Sequence, residues 1–293
     1  MTATASGRSA QSSLRDRLRY LLVLSRPRFW LYLAGPVVLG VVYAADSTAE
    51  LITPLSVALF AYFLVPANVF LYGVNDVFDA DIDTENPKKS EGPETRFSGE
   101  RWVLAVVIAA GLLALPFGLV VGPAGKVTLA AFLVLAVEYS APPFRFKTTP
   151  GLDSLSNGLY VLPGVLAFSA VAGHLPPAPA IVGGWLWTMA MHTFSAIPDI
   201  EPDRRAGIAT TATVLGQRRT YAYCGLVWAL AAAAFALVHP MLGALLAVYP
   251  VLPVVIAVSD VDVDRAYWWF PAINTAVGTV LTMGYLWGLV YGG

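Results

Sequence analysis

Acidic residues recur at four-residue steps in two stretches of the chain. In the first stretch, Asn75, Asp79 and Asp83 share one face of a predicted helix, and Asp76 borders that face. Carboxylates placed in this way repel one another, and they do so more strongly near hydrocarbon than in water. A divalent cation offsets the repulsion, and ligands that are all oxygen atoms favour Mg²⁺, Mn²⁺ or Ca²⁺ over zinc. The first motif therefore predicts a site for one of these divalent cations, formed by these four residues.

The second stretch repeats the same step later in the chain. Asp199, Asp203 and Gly207 are again four residues apart, although Pro202 strains a simple helix at this point. Both stretches follow long apolar runs and fall on the same predicted side of a membrane. We therefore expect Asp199 and Asp203 to complete the metal site.

Two sets of carboxylates that face each other at a membrane surface suit the chemistry of a diphosphate. Mg²⁺ ions held there would neutralise the diphosphate as it leaves, and an allylic carbocation would remain beside hydrocarbon. Basic side chains close to the two motifs would grip the same diphosphate. These candidates are Lys88, Arg145, Lys147, Arg204 and Arg205.

A carbocation also needs aromatic faces near it, since these attract a cation without quenching it. The candidates are Phe70, Tyr72, Tyr139 and Phe194. His192 lies seven residues before Asp199, about two helical turns deeper in the membrane. It would shape the acceptor pocket, take a proton from an intermediate, or serve as a hydrogen-bonded packing residue.

The elements that position these groups are membrane helices. Of the 293 residues, 57% are hydrophobic and 13% are charged, and the mean hydropathy is +0.66. In soluble domains, about 45–50% of the residues are hydrophobic and about 25% are charged. The sequence predicts an all-α polytopic membrane protein with nine transmembrane helices, arranged as two four-helix halves plus a ninth helix. The apolar runs are 29–45, 51–74, 102–122, 127–143, 155–172, 179–198, 221–238, 241–258 and 268–291.

Basic residues predict the orientation of the chain. All eighteen Lys and Arg residues except Lys126 fall in the N-terminal segment or in alternate loops, which the positive-inside rule places in the cytoplasm. We expect a multi-pass protein of the cell membrane with its N-terminus cytoplasmic and its C-terminus external. Residues 1–28 would form a cytoplasmic basic tail and an interfacial helix, and residues 29–293 a single transmembrane domain. The net charge of −1 argues against nucleic acid as a partner.

At these motifs the chain resembles the UbiA superfamily of intramembrane prenyltransferases. That family has the patterns N-x-x-x-D-x-x-x-D and D-x-x-x-D-x-x-x-G, which here begin at Asn75 and Asp199. A third segment, Tyr139–Lys147, is similar to the family's tyrosine-and-lysine segment that reaches the diphosphate. The resemblance implies catalytic roles for Tyr139, Arg145 and Lys147, with Mg²⁺ as the cofactor.

Within the superfamily, several stretches resemble lycopene elongases. They are residues 25–30, residues 72–79 and the segment Tyr139–Lys147. This resemblance implies transfer of a dimethylallyl group from dimethylallyl diphosphate to each end of lycopene, on the route to fifty-carbon pigments such as bacterioruberin. In some members water adds to the resulting cation. The implied partners are the two substrates and the lipid bilayer, and no protein partner is predicted.

Two other functions compete with this interpretation. The same chemistry would serve an aromatic or quinone precursor, but a benzoate-type acceptor would want a cation near its carboxylate, and no predicted span carries Lys or Arg in its interior. A cation transporter would also need acidic residues. Transporters hold their ions near the middle of the membrane, whereas the acidic residues here cluster at one face.

Overall fold

The computed structural model describes residues 13–80, 97, 99–259 and 261–291, and it contains helices and no strands within those ranges. Short 3₁₀ helices lie at Pro27–Phe29, Phe146–Thr148 and Ser156–Tyr160. The α-helices, in chain order, are α1 (Leu14–Leu24), α2 (Trp30–Ala44), α3 (Thr48–Leu51), α4 (Pro54–Leu64), α5 (Pro66–Phe78), α6 (Arg101–Leu112), α7 (Phe117–Val120), α8 (Pro123–Glu138), α9 (Leu152–Leu155), α10 (Leu162–Ala172), α11 (Ala178–Ser195), α12 (Ile200–Arg205), α13 (Thr211–Leu215), α14 (Gln217–Ala236), α15 (Pro240–Leu246), α16 (Val248–Val258) and α17 (Val263–Tyr291). The expectation of an all-α protein is confirmed.

Local sequence explains where many of these helices begin and end. Helices α4, α5, α8 and α15 each start at a proline, whose fixed φ suits the first turn and whose missing N–H is not needed there. Helix α10 ends at Gly173, which adopts a left-handed conformation with φ of 76°. Mostly apolar side chains between these signals then continue each helix.

Helix α1 is amphipathic and ends at Leu24, before the end of the predicted tail-and-helix segment at residue 28. Ser13 caps it: its hydroxyl accepts from the Asp16 N–H, and its own N–H and hydroxyl donate to the Asp16 carboxylate. Leu14 and Leu18 on the same helix are exposed, while Leu24 is buried in the core. The exposed leucines suit a membrane surface, which stays a prediction.

Every one of the nine predicted apolar runs contains helix, but fewer of them qualify as membrane spans by length and hydropathy. Helix α8 has only 16 residues, about 24 Å at 1.5 Å per residue, and α14 begins with Gln217, Arg218 and Arg219. The predicted count of nine is therefore not established by these criteria. In the described ranges, six helical stretches are long and apolar enough to cross a bilayer, namely Leu14–Ala44, Thr48–Phe78, Arg101–Val120, Leu152–Ala172, Pro240–Val258 and Val263–Tyr291.

The buried apolar residues form two clusters that divide the chain differently from the predicted four-helix halves. The first cluster extends from Leu24 to Ala167 and so includes α10, the fifth apolar run. The second extends from Ala190 to Phe270 and includes the run that was predicted to be a separate ninth helix. The two clusters therefore do not coincide with the predicted halves, because the fifth run packs with the first four.

A pair of glycines explains why α10 joins the first cluster. Gly40 on α2 and Gly164 on α10 face each other, and a Cβ added at Gly40 would overlap the carbonyl oxygen of Gly164. A Cβ added at Gly164 would lie 2.8 Å from the carbonyl oxygen of Pro36. The two backbones therefore touch, which is the close packing that small residues allow between membrane helices.

The last helix, α17, contacts α2 and the 3₁₀ helix before it at three separated levels. At one end, Arg28 donates to the carbonyl oxygen of Trp268 (2.7 Å) and lies over its ring. Further along, Asn274 donates to the Tyr32 hydroxyl (3.3 Å). At the other end, the Tyr43 hydroxyl donates to the carbonyl oxygen of Leu281 (3.2 Å). Helix α17 thus encloses a space beside α2 instead of filling it.

We predict that Gly40→Leu destabilises the protein. The new side chain has to displace the α10 backbone, and overpacking of this kind costs about 1–3 kcal/mol. Gly118→Leu is the matched control, because nothing lies within 4 Å of a Cβ at that position. Thermal unfolding in detergent should show a lower Tm for the first variant than for the second. Equal Tm values for the two variants would contradict the proposed backbone contact.

Candidate active site

Asp79 lies at the end of α5, where two basic side chains meet its carboxylate. Asp79 is the capping residue at the end of α5, and its backbone N–H donates to the carbonyl oxygen of Asn75 (3.0 Å). Because the helix ends here, the side chain can project beyond the last turn. Nη2 of Arg145 lies 2.9 Å from Oδ1, and Nζ of Lys147 contacts Oδ2. The first acidic motif and the tyrosine-and-lysine segment, predicted separately, are thus brought together.

Asn75 belongs to the same cluster. In the amide orientation that satisfies its neighbours, Nδ2 donates to Oδ2 of Asp79 at 3.3 Å, and Oδ1 accepts from Ser140 Oγ and Lys147 Nζ at 3.1 Å each. Asn75 Oδ1 and the Asp79 carboxylate therefore both contact the Lys147 ammonium. Asn75 also lines a cavity, so the cluster borders an apolar space.

The segment from Tyr139 to Lys147 folds back on itself and thereby aims both cations at Asp79. The N–H of Lys147 donates to the carbonyl oxygen of Tyr139 (3.0 Å), and the N–H of Arg145 donates to that of Ala141 (3.0 Å). Arg145 adopts a left-handed backbone conformation with φ of 42°. This conformation is uncommon for a residue with a side chain, and here it sits at the centre of the cluster.

Asp76 occupies a different environment from the one predicted. Its carboxylate is buried, and Oδ1 lies 3.6 Å from Nη2 of Arg26. The guanidinium of Arg26 also lies over the ring of Tyr72, 4.5 Å from its centroid. Asp76 therefore has a protein cation as its neighbour. Its role as a metal ligand stays a prediction.

The second acidic motif begins directly after α11. Asp199 precedes the short helix α12, and the N–H of Asp203 donates to the carbonyl oxygen of Asp199 (2.8 Å), which places the two carboxylates one turn apart. Gly207 has a φ of 70°, so the chain turns there. Despite Pro202, the four-residue spacing survives as helix, because the proline falls within the first turn, where its missing N–H is not needed.

The two arginines of this motif contact neighbouring protein groups. Arg204 donates to the carbonyl oxygen of Thr213 (2.8 Å) and pairs with Glu201 (2.9 Å), and Arg205 donates to the backbone of Glu201. Both side chains are largely exposed. These hydrogen bonds do not test whether the two arginines contact a diphosphate, so that contact stays a prediction. Asp83 and Lys88 lie outside the described residues.

A cavity of about 830 Å³ connects the two motif helices. At one end it is lined by Asn75, one turn before Asp79, and by Ser195, one turn before Asp199. On α17 its lining runs from Tyr267 to Met283, roughly 24 Å at 1.5 Å per residue. Most of the lining is apolar or aromatic. A long apolar chain would fit along it with one end at the acidic motifs.

Tyrosines concentrate at the motif end of this cavity. The side chains of Tyr72 and Tyr160 both line this end, and the rings of Tyr32 and Tyr160 meet edge to face at 6.4 Å. The Tyr139 hydroxyl lies 3.3 Å from Nε2 of His192. Sequence reasoning found Tyr72, Tyr139 and His192 but missed Tyr32 and Tyr160, which no motif spacing connects to the site.

Two of the predicted aromatic candidates do not line the cavity. Phe70 is buried in the first core cluster against Gly111, and Phe194 is buried in the second between Trp228 and Phe270. Their assignment was wrong because nearness to a motif in sequence does not decide which face of a helix meets the core.

The donor chemistry of the two motifs fits a hard divalent cation. Asn75 Oδ1 and the Asp79 carboxylate both contact Lys147 Nζ, and Asn75 and Ser195, which precede Asp79 and Asp199 by four residues, line the same cavity. Within the described ranges, no three His, Cys, Asp or Glu residues form a ligand group by themselves. Magnesium does not require one, since proteins usually hold it through one or two carboxylates together with substrate phosphates.

Comparison with known proteins agrees with this arrangement. The UbiA prenyltransferase family model matches residues 33–290. A lycopene elongase/hydratase of Haloferax volcanii is 65% identical over 97% of this chain and 94% of its own length, and one of Haloarcula japonica is 61% identical over 94% of each. Among solved structures, a UbiA homologue from Archaeoglobus fulgidus bound to DMAPP and Mg²⁺ superimposes with a TM-score of 0.72 at 20% sequence identity. The match covers 90% of this chain and 99% of the homologue's chain.

These matches extend over nearly the whole chain, and the resemblance to lycopene elongases is confirmed. The apolar helices and the family together indicate a multi-pass membrane protein. The chain belongs to the UbiA prenyltransferase family.

Proposed function

We propose that this chain transfers a dimethylallyl group from dimethylallyl diphosphate to each end of lycopene, and that water then adds to the new tertiary centre. The products would be fifty-carbon carotenoids of the bacterioruberin type. The observation that carries this proposal is the apolar cavity that starts at Asn75 and Tyr139 and extends roughly 24 Å along α17. The similarity to lycopene elongase/hydratases supports the same acceptor.

The acidic end of the cavity would hold the diphosphate. Arg145 and Lys147 already meet at Asp79, so they would turn to phosphate oxygens when the donor arrives. Bound Mg²⁺, held by Asn75, Asp79, Asp83, Asp199 and Asp203, would neutralise the charge that develops on the leaving diphosphate. The family resemblance and the Mg²⁺ bound to the UbiA homologue from Archaeoglobus fulgidus support this assignment.

The tyrosine-rich wall would then receive the dimethylallyl cation. Tyr72, Tyr139 and Tyr160 surround the motif end of the cavity, and an aromatic face attracts a cation by about 2 kcal/mol or more in a dry site. The terminal double bond of lycopene attacks the cation, and positive charge moves to the acceptor's tertiary carbon. Since lycopene has two equivalent ends, the released intermediate would re-enter and react again.

The donor is soluble, so the acidic end should face the cytoplasm, with the N-terminus on the same side and the C-terminus outside. The location of all basic residues except Lys126 supports this orientation. We also propose nine crossings, since each predicted apolar run contains helix.

The test of the reaction uses membranes that contain the chain, lycopene, dimethylallyl diphosphate and Mg²⁺. Forty-five-carbon and then fifty-carbon products should appear in that order by mass analysis, and EDTA should stop them, because the diphosphate cannot leave without its counter-charge. Unchanged lycopene together with prenylation of an added hydroxybenzoate or naphthoate would move the assignment to an aromatic acceptor.

The acidic motifs generate a second prediction. Asp79→Ala and Asp203→Ala should each lower turnover by about a hundredfold or more, the scale seen when one preorganised charge-stabilising group is removed. Glu201→Ala is the control, since this exposed carboxylate pairs with Arg204 on the helix that carries Asp203. Initial rates should be measured at equal amounts of protein in the membrane. Near-normal rates for both aspartate variants would contradict the two-motif site.

The depth of the cavity generates a third prediction. Gly278 lines the cavity about 16 Å along α17 from Tyr267, and nothing lies within 4 Å of a Cβ there. Gly278→Phe should therefore obstruct the deep part of the cavity. A long acceptor would occupy this part, whereas a five-carbon donor would not reach it. Prenylation of lycopene should fall about tenfold or more, since misplacing a reacting group by about 1 Å can cost 10²-fold.

Gly284→Phe is the matched control for that variant. It lies on the same helix, is equally open, and does not line the cavity. Loss of activity in both variants, or in neither, would show that the acceptor does not occupy the deep part of the cavity.

A further inference from the structure

Tyr139 and His192 form a contact that the transfer of the dimethylallyl group does not use. Tyr139 follows α8 and His192 lies on α11, and both side chains line the cavity. The Tyr139 hydroxyl is 3.3 Å from Nε2 of His192, and the two rings meet edge to face at 5.9 Å. A phenol and an imidazole are thus in hydrogen-bonding contact at the end of the cavity where the cation forms.

Among the described residues, His192 is the one base on the cavity wall. Of the side chains in those ranges that line the cavity, the charged or readily ionised ones other than tyrosines are Arg26 and His192. Arginine does not give up its proton in proteins, so it cannot act as a base. The carboxylates of Asp79 and Asp199 belong to the acidic motifs and do not line this space. A proton released inside the cavity therefore has His192 as its acceptor there.

Polar groups lie close to this pair. Asn157 lines the same cavity, and its Nδ2 donates to the backbone carbonyl of Asp153. The carboxylate of Asp153 is buried, accepts from the backbone N–H of Thr211 (2.8 Å), and acts electrostatically on both Tyr139 and His192. A positive charge formed on the imidazole would thus have a fixed negative charge nearby.

We propose that Tyr139 and His192 form a proton relay for the water that ends the reaction; this inference rests on the proposed function. The oxygen of a water molecule on Tyr139 bonds to the tertiary carbocation of the prenylated acceptor. As that C–O bond forms, one water proton passes to the Tyr139 oxygen, and the Tyr139 hydroxyl proton passes to Nε2 of His192. The product is a tertiary alcohol, and the imidazolium later returns its proton to solvent.

Without the relay, the same cation loses a proton from a neighbouring carbon to the departing diphosphate and becomes an alkene. The ratio of alcohol to alkene therefore reports on the relay separately from total activity. A residue that only supports the fold would lower both products in the same proportion.

The experiment measures this ratio by mass spectrometry after reaction in H₂¹⁸O. The variants are His192→Gln, Tyr139→Phe and the double substitution, and the control is His174→Gln, an exposed histidine that does not line the cavity. In His192→Gln the ratio should fall about tenfold or more, a conservative figure since general bases contribute 10²–10⁴-fold. Tyr139→Phe should shift it equally, and the double variant should shift it no further, because the two residues act as one unit.

An unchanged ratio in His192→Gln would overturn the relay, as would an equal shift in His174→Gln or additive shifts in the double variant. Prenylated lycopene without any ¹⁸O-labelled alcohol from the unaltered chain would also overturn it, while leaving prenyl transfer in place. Absence of any prenylated lycopene from the unaltered chain would instead refute the proposed function itself. The three failures are therefore distinguishable.

Discussion

The contact of Asp79 with Arg145 and Lys147 is the interaction on which the rest of the site depends. These residues come from the end of α5 and from the loop after α8, and one carboxylate faces two cations at the border of an apolar space. Removing the Asp79 carboxylate would leave the two cations close together without a counter-charge. The contact therefore fixes where α5 ends and how the loop folds. It thereby also places Asn75 and Tyr139 on the cavity wall.

The cavity itself follows from two different ways of packing against α2. On one side, Gly40 and Gly164 bring the α2 and α10 backbones into contact and leave no space between them. On the other side, α17 reaches α2 and the 3₁₀ helix before it through long side chains, such as those of Tyr43 and Arg28, at separated levels. Close packing on one face and bridging on the other leave a long space beside α2. Its length follows from the length of the helices, since they run alongside it.

Much of the site could be predicted from sequence because its parts are local. The four-residue step of Asn75 and Asp79 survives, since a helical face is a property of a short segment. Other contacts join distant parts of the chain. Asp79 and Lys147 are 68 residues apart in the sequence, and both this pair and the pair of Asp76 with Arg26 depend on how separate segments pack. Spacing alone carries no information about such contacts. For the same reason the sequence could not show that the fifth apolar run packs with the first four.

The separation of charge from hydrocarbon explains how one cavity could accept two unlike substrates. The described carboxylates of the acidic motifs stay outside the cavity lining, and the described wall carries aromatic rings and aliphatic side chains, with Arg26 and His192 near its acidic end. A carboxylate on this wall would trap a carbocation or take its proton at once. Aromatic faces stabilise the charge without forming a bond to it. In the proposed reaction the cation therefore survives long enough to meet the acceptor, and its fate is decided by the few polar groups at the acidic end.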